Sequence, residues 1–341
     1  MGTLTLTQRV AVLGSGGWGT ALAVHLGRET RQVRLWGRNV EMVEAMRATR
    51  ENSKYLKGIE LPDAVQPTAS IAEALADAQC VVAAVPSHGT REVMHRAAGI
   101  MRPDAVVVSA TKGLEVGTLL RISEVIAEEL GPSHPITVLS GPSFSPEVAL
   151  GLPTAVAVAG YDAKVVETVQ QEFRSQNFRL YGTGDVVGVE IGGAMKNVIA
   201  IAAGAVESLE LGHNALSALI TRGLAEISRL ASALGGRRDT LAGLSGLGDL
   251  VLTCTGNLSR NRHVGVELGR GRSLDAVLGD MSSVAEGVRT TAAALELGTR
   301  HAVDLPITSQ MAEVLDGRQT PLAAVEGLML RRQRAEIESG R

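Results

Sequence analysis

Lys196 stands in an otherwise apolar stretch, after Gly192 and Gly193 and before Asn197 and a run of Val, Ile and Ala. Burial disfavours the ammonium form, lowers the lysine pKa and makes the amine usable for proton transfer near neutral pH. Periodicity alone fits equally a lysine whose stem lies between helices with its head in water. Asp249, in Gly246-Leu-Gly248-Asp249-Leu-Val-Leu-Thr253-Cys254, is a carboxylate among apolar residues. It calls for a cationic partner, for which Lys196 is the candidate, or else it caps a helix after Gly248. Lys112 follows an apolar run in Ala110-Thr-Lys-Gly-Leu, beside a turn. The segment Asn257-Leu-Ser259-Arg260-Asn261-Arg262-His263 gathers hydrogen-bond donors. An arginine fork matches phosphate oxygens and Ser and Asn add neutral donors, although a solvated polar loop has the same composition. His88, His213 and His263 lie near candidate loops, no two histidines have metal-ligand spacing, and no metal is assigned.

These groups need a frame, and the first half of the chain supplies one. Val10-Ala-Val-Leu-Gly14-Ser-Gly16-Gly17-Trp18-Gly19-Thr-Ala-Leu-Ala places a glycine-rich turn between a short apolar strand and a small-residue helix. Gly14 permits the tight turn, Gly16 the approach of a pyrophosphate to backbone N–H groups, and Gly19 the packing of helix on strand. A second strand from Val33 to Trp36 completes a βαβ unit, the setting that turns a bare glycine triplet into a dinucleotide site. Arg38, just past that strand, suits the extra phosphate of NADP, where an acidic residue would hold the ribose of NAD. A surface arginine at a strand end is the alternative.

Further apolar runs at Val81–Val85, Ala105–Val108, Ile136–Leu139 and Ala155–Ala159 read as strands buried on both faces. Ser70 with Glu73 reads as a capping box before the first of them. Each run ends in polar or glycine-rich residues: Pro86-Ser-His88, Thr111-Lys112-Gly113, Ser140-Gly141-Pro-Ser143-Phe-Ser145. In open α/β sheets ligands bind outside the carboxyl ends of the strands, so these loops should converge. From about Asp185 strand patterning gives way to long Ala/Leu/Gly runs of helical period. The expected architecture is a Rossmann-type, doubly wound, mostly parallel sheet domain over residues 1–185, followed by an all-helical domain over 186–341. Asp185 is placed to cap the first helix, which runs to about Leu209, and the Arg-rich C-terminal stretch reads as a frayed tail.

Composition removes several function classes. The formal charge of −3 over 341 residues, with both signs interspersed, provides no basic field for nucleic acid and no polybasic membrane patch. The two cysteines, Cys80 and Cys254, lie in apolar runs without metal or disulfide spacing and read as buried thiols in a reducing compartment. No segment is read as long enough to span a membrane, and a cytoplasmic location is expected.

The ordered blocks GSGGWGTALA (Gly14–Ala23), LWGRN (Leu35–Asn39), VPSH (Val85–His88), ATKGLE (Ala110–Glu115), SGPSF (Ser140–Phe144), GGAMKNVIAIAAG (Gly192–Gly204), GLSGLGDLVLTCTGNLSRNR (Gly243–Arg262) and VAEGVRT (Val284–Thr290) carry a family resemblance. The chain closely resembles bacterial NAD(P)-dependent glycerol-3-phosphate dehydrogenases from the glycine turn to about Gly327. The resemblance implies hydride transfer between NADPH, or NADH, and dihydroxyacetone phosphate, giving sn-glycerol 3-phosphate for phospholipid synthesis. It implies that Lys196 is the general acid/base, with Lys112, Asp249 and Thr253 completing the catalytic set. Gly141, Ser143, Ser259, Arg260 and Asn261 would hold substrate beside Lys112, Lys196 and Asp249. Gly14, Gly16, Gly17, Trp18, Gly19, Arg38, Lys112, Ser145, Arg260, Val284 and Glu286 would contact the cofactor. The chain departs from the family pattern at Gly17, where Ser is frequent, at Ser143, where Thr is common, and at Ser145, where Ala is common. A homodimer is compatible with the resemblance. Two rivals are a β-hydroxyacid or ketopantoate reductase, disfavoured by the GDLVLTC and NLSRNR blocks, and a non-catalytic NADPH sensor, which has no need of a lysine and an aspartate in an apolar pocket.

Overall fold

The computed structural model describes residues 9–29, 31–281, 284–333 and 335. The first part runs β1 (Arg9–Leu13), α1 (Gly17–Arg28), β2 (Gln32–Trp36), α2 (Val40–Thr49), β3 (Val65–Thr68), α3 (Ile71–Leu75), β4 (Cys80–Ala83), α4 (Ser87–Ala98), β5 (Val106–Ser109), α5 (Ile122–Leu130), β6 (Ile136–Ser140), α6 (Ser145–Leu150), β7 (Thr154–Gly160), α7 (Ala163–Phe173) and β8 (Phe178–Thr183). The rest is helical: α8 (Val186–Ser208), α9 (Gly212–Ala233), α10 (Arg238–Leu241), one π-helical turn (Leu244–Gly248), α11 (Asp249–Thr255), α12 (Arg260–Gly269), α13 (Leu274–Asp280), α14 (Glu286–Arg300), α15 (Pro306–Leu315) and α16 (Pro321–Met329). The expected C-terminal tail lies largely outside the described residues.

The eight strands form one sheet in the order β3-β2-β1-β4-β5-β6-β7-β8. Neighbours are parallel, as in Val10↔Val33 and Val10↔Cys80, except for β6 and β7, which pair antiparallel with Val138↔Ala159. The chain order reverses between β1 and β4, which opens a crevice at their carboxyl ends. All six expected strands are present, shifted by a residue or two at their ends: Val81–Val85 is β4 at Cys80–Ala83, and Ala105–Val108 is β5 at Val106–Ser109. Two strands escaped the sequence reading, and both are sheet edges. In β3 the run is only Val-Gln-Pro-Thr, and Pro67 is tolerated because its missing N–H would face outward. In β8 the alternating Phe-Arg-Leu-Tyr is half exposed, and the Gln170 amide donates to the Leu180 carbonyl at 3.1 Å, blunting the edge.

Aliphatic layers cover both sheet faces, one around Leu22, Leu26, Val82 and Phe173, the other around Val81, Val107, Met94 and Ile126. The Ser70 Oγ caps α3 by accepting from Glu73 N at 3.2 Å, but the box is not reciprocal. The Glu73 carboxylate instead accepts from Thr68 Oγ1 at 2.6 Å, and the Ser70 N–H donates to that same hydroxyl oxygen.

Helix α8 begins, as expected, on the Asp185 carboxylate, which accepts from Gly188 N at 2.9 Å. It is the axis of the second apolar core, wrapped by α9, α11, α12, α14 and α15. One expectation needs correction here: α8 has the length and apolarity of a membrane span. Its apolar window is 94% buried within the protein, which explains the composition through packing, because a helix apolar all round is a core helix. Cys80 and Cys254 are both buried free thiols, and burial pushes each up to about 12.

Candidate active site

Two adjacent glycines on α8 decide what can approach Lys196. A Cβ at Gly192 would lie 2.6 Å from the Ser245 carbonyl oxygen, in the π-helical turn that leads into Asp249. A Cβ at Gly193 would lie 2.5 Å from Ser140 Oγ at the end of β6, and 3.6 Å from the stem of Lys112. The pair therefore lets the Asp249 turn and the sheet ends close on α8 from two sides.

What meets there is a carboxylate between two lysines. Lys196 Nζ donates to Asp249 Oδ1 at 2.5 Å and to Thr253 Oγ1 at 2.7 Å. Lys112 Nζ donates to Asp249 Oδ2 at 2.7 Å, to the Gly141 carbonyl at 2.8 Å and to Ser143 Oγ at 3.4 Å. Thr253 Oγ1 in turn donates to the Asp249 carbonyl one helical turn back, at 2.6 Å. Asp249 is fully buried; burial alone would raise its pKa, yet the charges of Lys112 and Lys196 hold it below the ordinary carboxylate value. Lys196, 7% exposed, is lowered to about 8. Desolvation is the main cause; Asp249 opposes it by favouring the ammonium, and Lys112 assists it by repulsion. The snorkelling alternative is thereby removed.

Asn197, the next residue on α8, organises the neighbouring helices. Its Oδ1 accepts from Asn261 Nδ2 at 2.9 Å, and Asn261 Oδ1 accepts from Gly287 N at 2.9 Å, tying α8 to the first turns of α12 and α14. The expected donor loop is thus a helix start: Ser259 Oγ accepts from Arg262 N and caps α12, and the Asn261 amide is committed to the protein. Arg260, at the first position of α12, has no hydrogen bond or ion pair among the described residues. It is exposed; desolvation lowers its pKa, and the Glu286 charge raises it.

The glycine turn lies at the β1/β4 crevice. Gly14 has φ +116°, a conformation that costs glycine nothing, and a Cβ there would lie 2.5 Å from the Ala84 carbonyl oxygen beyond β4. A Cβ at Gly19 would strike the Gly14 carbonyl at 1.9 Å, whereas nothing stands within 4 Å of one at Gly16. No side chain caps α1, so the N–H groups of its first turn are open toward that space. The buried Trp18 Nε1 has no partner among the described residues. A glycine cradle, an uncapped helix start and an orphaned donor fit a dinucleotide's phosphates. Gly17 and Ser145, two of the departures from the family pattern, are neighbours: a Cβ at Gly17 would be 3.6 Å from Ser145 Oγ.

Of the remaining cofactor candidates, Arg38 is exposed just after β2, and half-buried Val284 precedes α14. Glu286 is already engaged across the molecule, accepting from Ser87 N at 3.1 Å and Ser87 Oγ at 2.6 Å at the start of α4. The sequence reading did not find this partner; the signal was Ser87 itself, a hydroxyl at a helix start just after Pro86. Nor did it find Arg121 and Ser123, which hold Glu190 of α8 at 2.6 and 2.7 Å and thereby fix that helix to the start of α5.

Two family models cover this arrangement, the N-terminus of NAD-dependent glycerol-3-phosphate dehydrogenase over residues 9–166 and its C-terminus over residues 185–326. The chain belongs to this family. It is 52% identical over 337 residues to the glycerol-3-phosphate dehydrogenase [NAD(P)+] of Acidobacterium capsulatum, covering 96% of this chain and 100% of that one. The Geobacter sulfurreducens protein of the same name is 49% identical over 333 residues, covering 97% of this chain and 99% of that one. Among solved structures, glycerol-3-phosphate dehydrogenase from Coxiella burnetii superposes with a TM-score of 0.92 at 39% identity, covering 96% of this chain and all of that one. A ketopantoate reductase from Ralstonia eutropha, at 14% identity and TM-score 0.59 over 92% of this chain and 100% of that one, shares the fold alone.

Proposed function

We propose that this member of the family is an NAD(P)-dependent sn-glycerol-3-phosphate dehydrogenase that interconverts dihydroxyacetone phosphate and sn-glycerol 3-phosphate, with NADPH as the favoured cofactor and NADH as an alternative. On this reading the described residues up to Asp185 are the dinucleotide-binding domain and those from Val186 onward the substrate domain. The observation that carries the reading is the buried Lys196–Asp249–Lys112 bridge, which joins the two halves at the ligand edge of the sheet.

The glycine cradle at Gly14, Gly16, Gly17 and Gly19 and the first turn of α1, with Trp18 and Ser145 beside it, hold the pyrophosphate; Arg38 suits a 2′-phosphate. When bound, the nicotinamide supplies the hydride to the carbonyl carbon. Negative charge then grows on the carbonyl oxygen, and a cation placed there before reaction stabilises it without reorganisation. Lys196, with a pKa of about 8, gives both that charge and the proton. Asp249 and Thr253 aim the Lys196 amine, and Lys112 adds positive potential between Gly141, Ser143 and Asp249. Arg260, unpaired at the start of α12 beside the Ser259 cap, takes the substrate phosphate; anchoring a remote group lends binding energy to positioning the carbonyl. In the oxidation direction neutral Lys196 accepts the hydroxyl proton. Family membership supports a role in supplying sn-glycerol 3-phosphate for phospholipid synthesis.

The test is loss of absorbance at the reduced nicotinamide band with dihydroxyacetone phosphate. Wild type should oxidise NADPH, and Lys196→Ala should lose turnover by about 10²- to 10⁴-fold with dinucleotide affinity retained. Near-normal turnover in that variant would give the proton transfer to another residue.

A further inference from the structure

Two guanidiniums and an imidazole stand, among the described residues, where the two halves meet after Lys112, Lys196 and Arg260 have been assigned. Arg38 follows β2, His88 lies in the first turn of α4, and Arg289 lies in the first turn of α14. All three are exposed, and none has a hydrogen bond or ion pair among the described residues. Their elements are held together by Glu286, which takes the backbone N–H and hydroxyl of Ser87 and so seats the start of α14 on the start of α4. His88 follows Ser87 directly, and Arg289 is one turn on from Glu286. After desolvation, Arg289 is the strongest influence on the His88 imidazole; the Glu286 charge opposes it, and Arg38 acts in the same sense as Arg289. Arg38 follows β2 on the same carboxyl edge of β2-β1-β4 from which α4 starts, and Arg289 lies on the helix that Glu286 seats there, so side chains from both halves share that edge.

The two guanidiniums have no ion pair among the described residues, so an anion bound between them and the imidazole would be met by two charged forks and a neutral donor. The Glu286 carboxylate beside them turns both oxygens to Ser87, so it keeps its charge but takes no hydrogen bond from either guanidinium. The carboxyl end of the second strand is where a doubly wound sheet places the adenosine ribose, and an arginine there accommodates a 2′-phosphate. We propose that Arg289 and His88 complete, with Arg38, the seat of the 2′-phosphate of NADP(H), so that the helical half takes part in the choice between NADP(H) and NAD(H). A phosphomonoester carries close to two negative charges at neutral pH and takes more than one guanidinium fork. This inference rests on the dinucleotide reading above.

The experiment is calorimetric titration of the full chain with 2′,5′-ADP and with 5′-ADP, which differ in where the second phosphate sits. Wild type should favour 2′,5′-ADP. Arg289→Ala should weaken 2′,5′-ADP by roughly tenfold or more while 5′-ADP binding is unchanged, and Arg289→Lys should recover part of the loss. Equal weakening of both probes in Arg289→Ala, or no change in either, would overturn the assignment. Retention of the preference in Arg289→Ala with its loss in Arg38→Ala would likewise place the 2′-phosphate on the sheet half alone. A wild type that binds neither probe would overturn the dinucleotide reading itself.

Discussion

A lysine amine and a carboxylate cancel in most buried pairs; here the carboxylate is shared. Asp249 presents one oxygen to Lys196 and the other to Lys112, so the cluster carries a net positive charge inside the protein. Burial is the main reason that Lys196 titrates near 8 rather than at its ordinary value; Asp249 opposes the shift, and repulsion from Lys112 assists it. The sign of the pH effect follows. Below about 8 the amine holds its proton and can give it to a growing alkoxide, so reduction is favoured; above about 8 it is neutral and can take a proton, so oxidation is favoured. The candidates Lys196, Asp249 and Lys112 were legible in the sequence because a charge in an apolar run needs an explanation. Their three-way sharing was not, because two positions separated by 137 residues carry no mark of each other.

At the scale of elements, the crossing of α8 and α12 sets the distance from the amine to the anion-binding helix start. A Cβ at Gly204 would lie 2.0 Å from the Arg262 carbonyl oxygen, and one at Gly265 would lie 1.8 Å from that of Ile201. Backbone meets backbone there, so neither helix can yield a side chain to make room. Gly265→Ala should destabilise the protein by about 1–3 kcal/mol. The loss should appear as a lower denaturant midpoint, together with a raised KM for dihydroxyacetone phosphate as Arg260 is displaced. An unchanged midpoint would mean that the two helices separate freely. This crossing illustrates what could not be read in advance. Gly204 and Gly265 carried no reading of close approach along the chain, because the identity of the approaching element depends on tertiary packing that no local pattern encodes. The edge strands β3 and β8 were missed for the related reason that a half-exposed, Pro-containing or alternating run lacks the continuous apolarity that marked the central strands.

Over the whole molecule, carboxylates reach from the helical half to helix starts in the sheet half, one half-buried and one buried. Glu286 takes the start of α4, and Glu190 takes Ser123 N, Ser123 Oγ and Arg121 at the start of α5. Helix starts favour negative charge, so each clamp joins an orphaned set of N–H groups to an acid from the other half. Breaking a buried ion pair by removing one partner costs about 3–5 kcal/mol. Arg121 keeps Glu124 at 2.5 Å, which puts Glu190→Ala at the lower end of that range. Chemical denaturation should register the loss, and a variant as stable as wild type would mean that the halves do not depend on this clamp. The two-part organisation was legible from the change in patterning near Asp185, but the clamps were not: Glu190 is a charge in an apolar run, yet nothing along the chain marks Arg121, 69 residues away, as its partner.

The central claim is that a desolvated Lys196 exchanges the proton in the chemical step, and the pH dependence of kcat/KM tests it most directly. For dihydroxyacetone phosphate reduction, kcat/KM should be level below an apparent pKa of about 8 and fall above it, while for glycerol 3-phosphate oxidation it should rise through the same value. Profiles that run flat through this region in both directions would contradict the account.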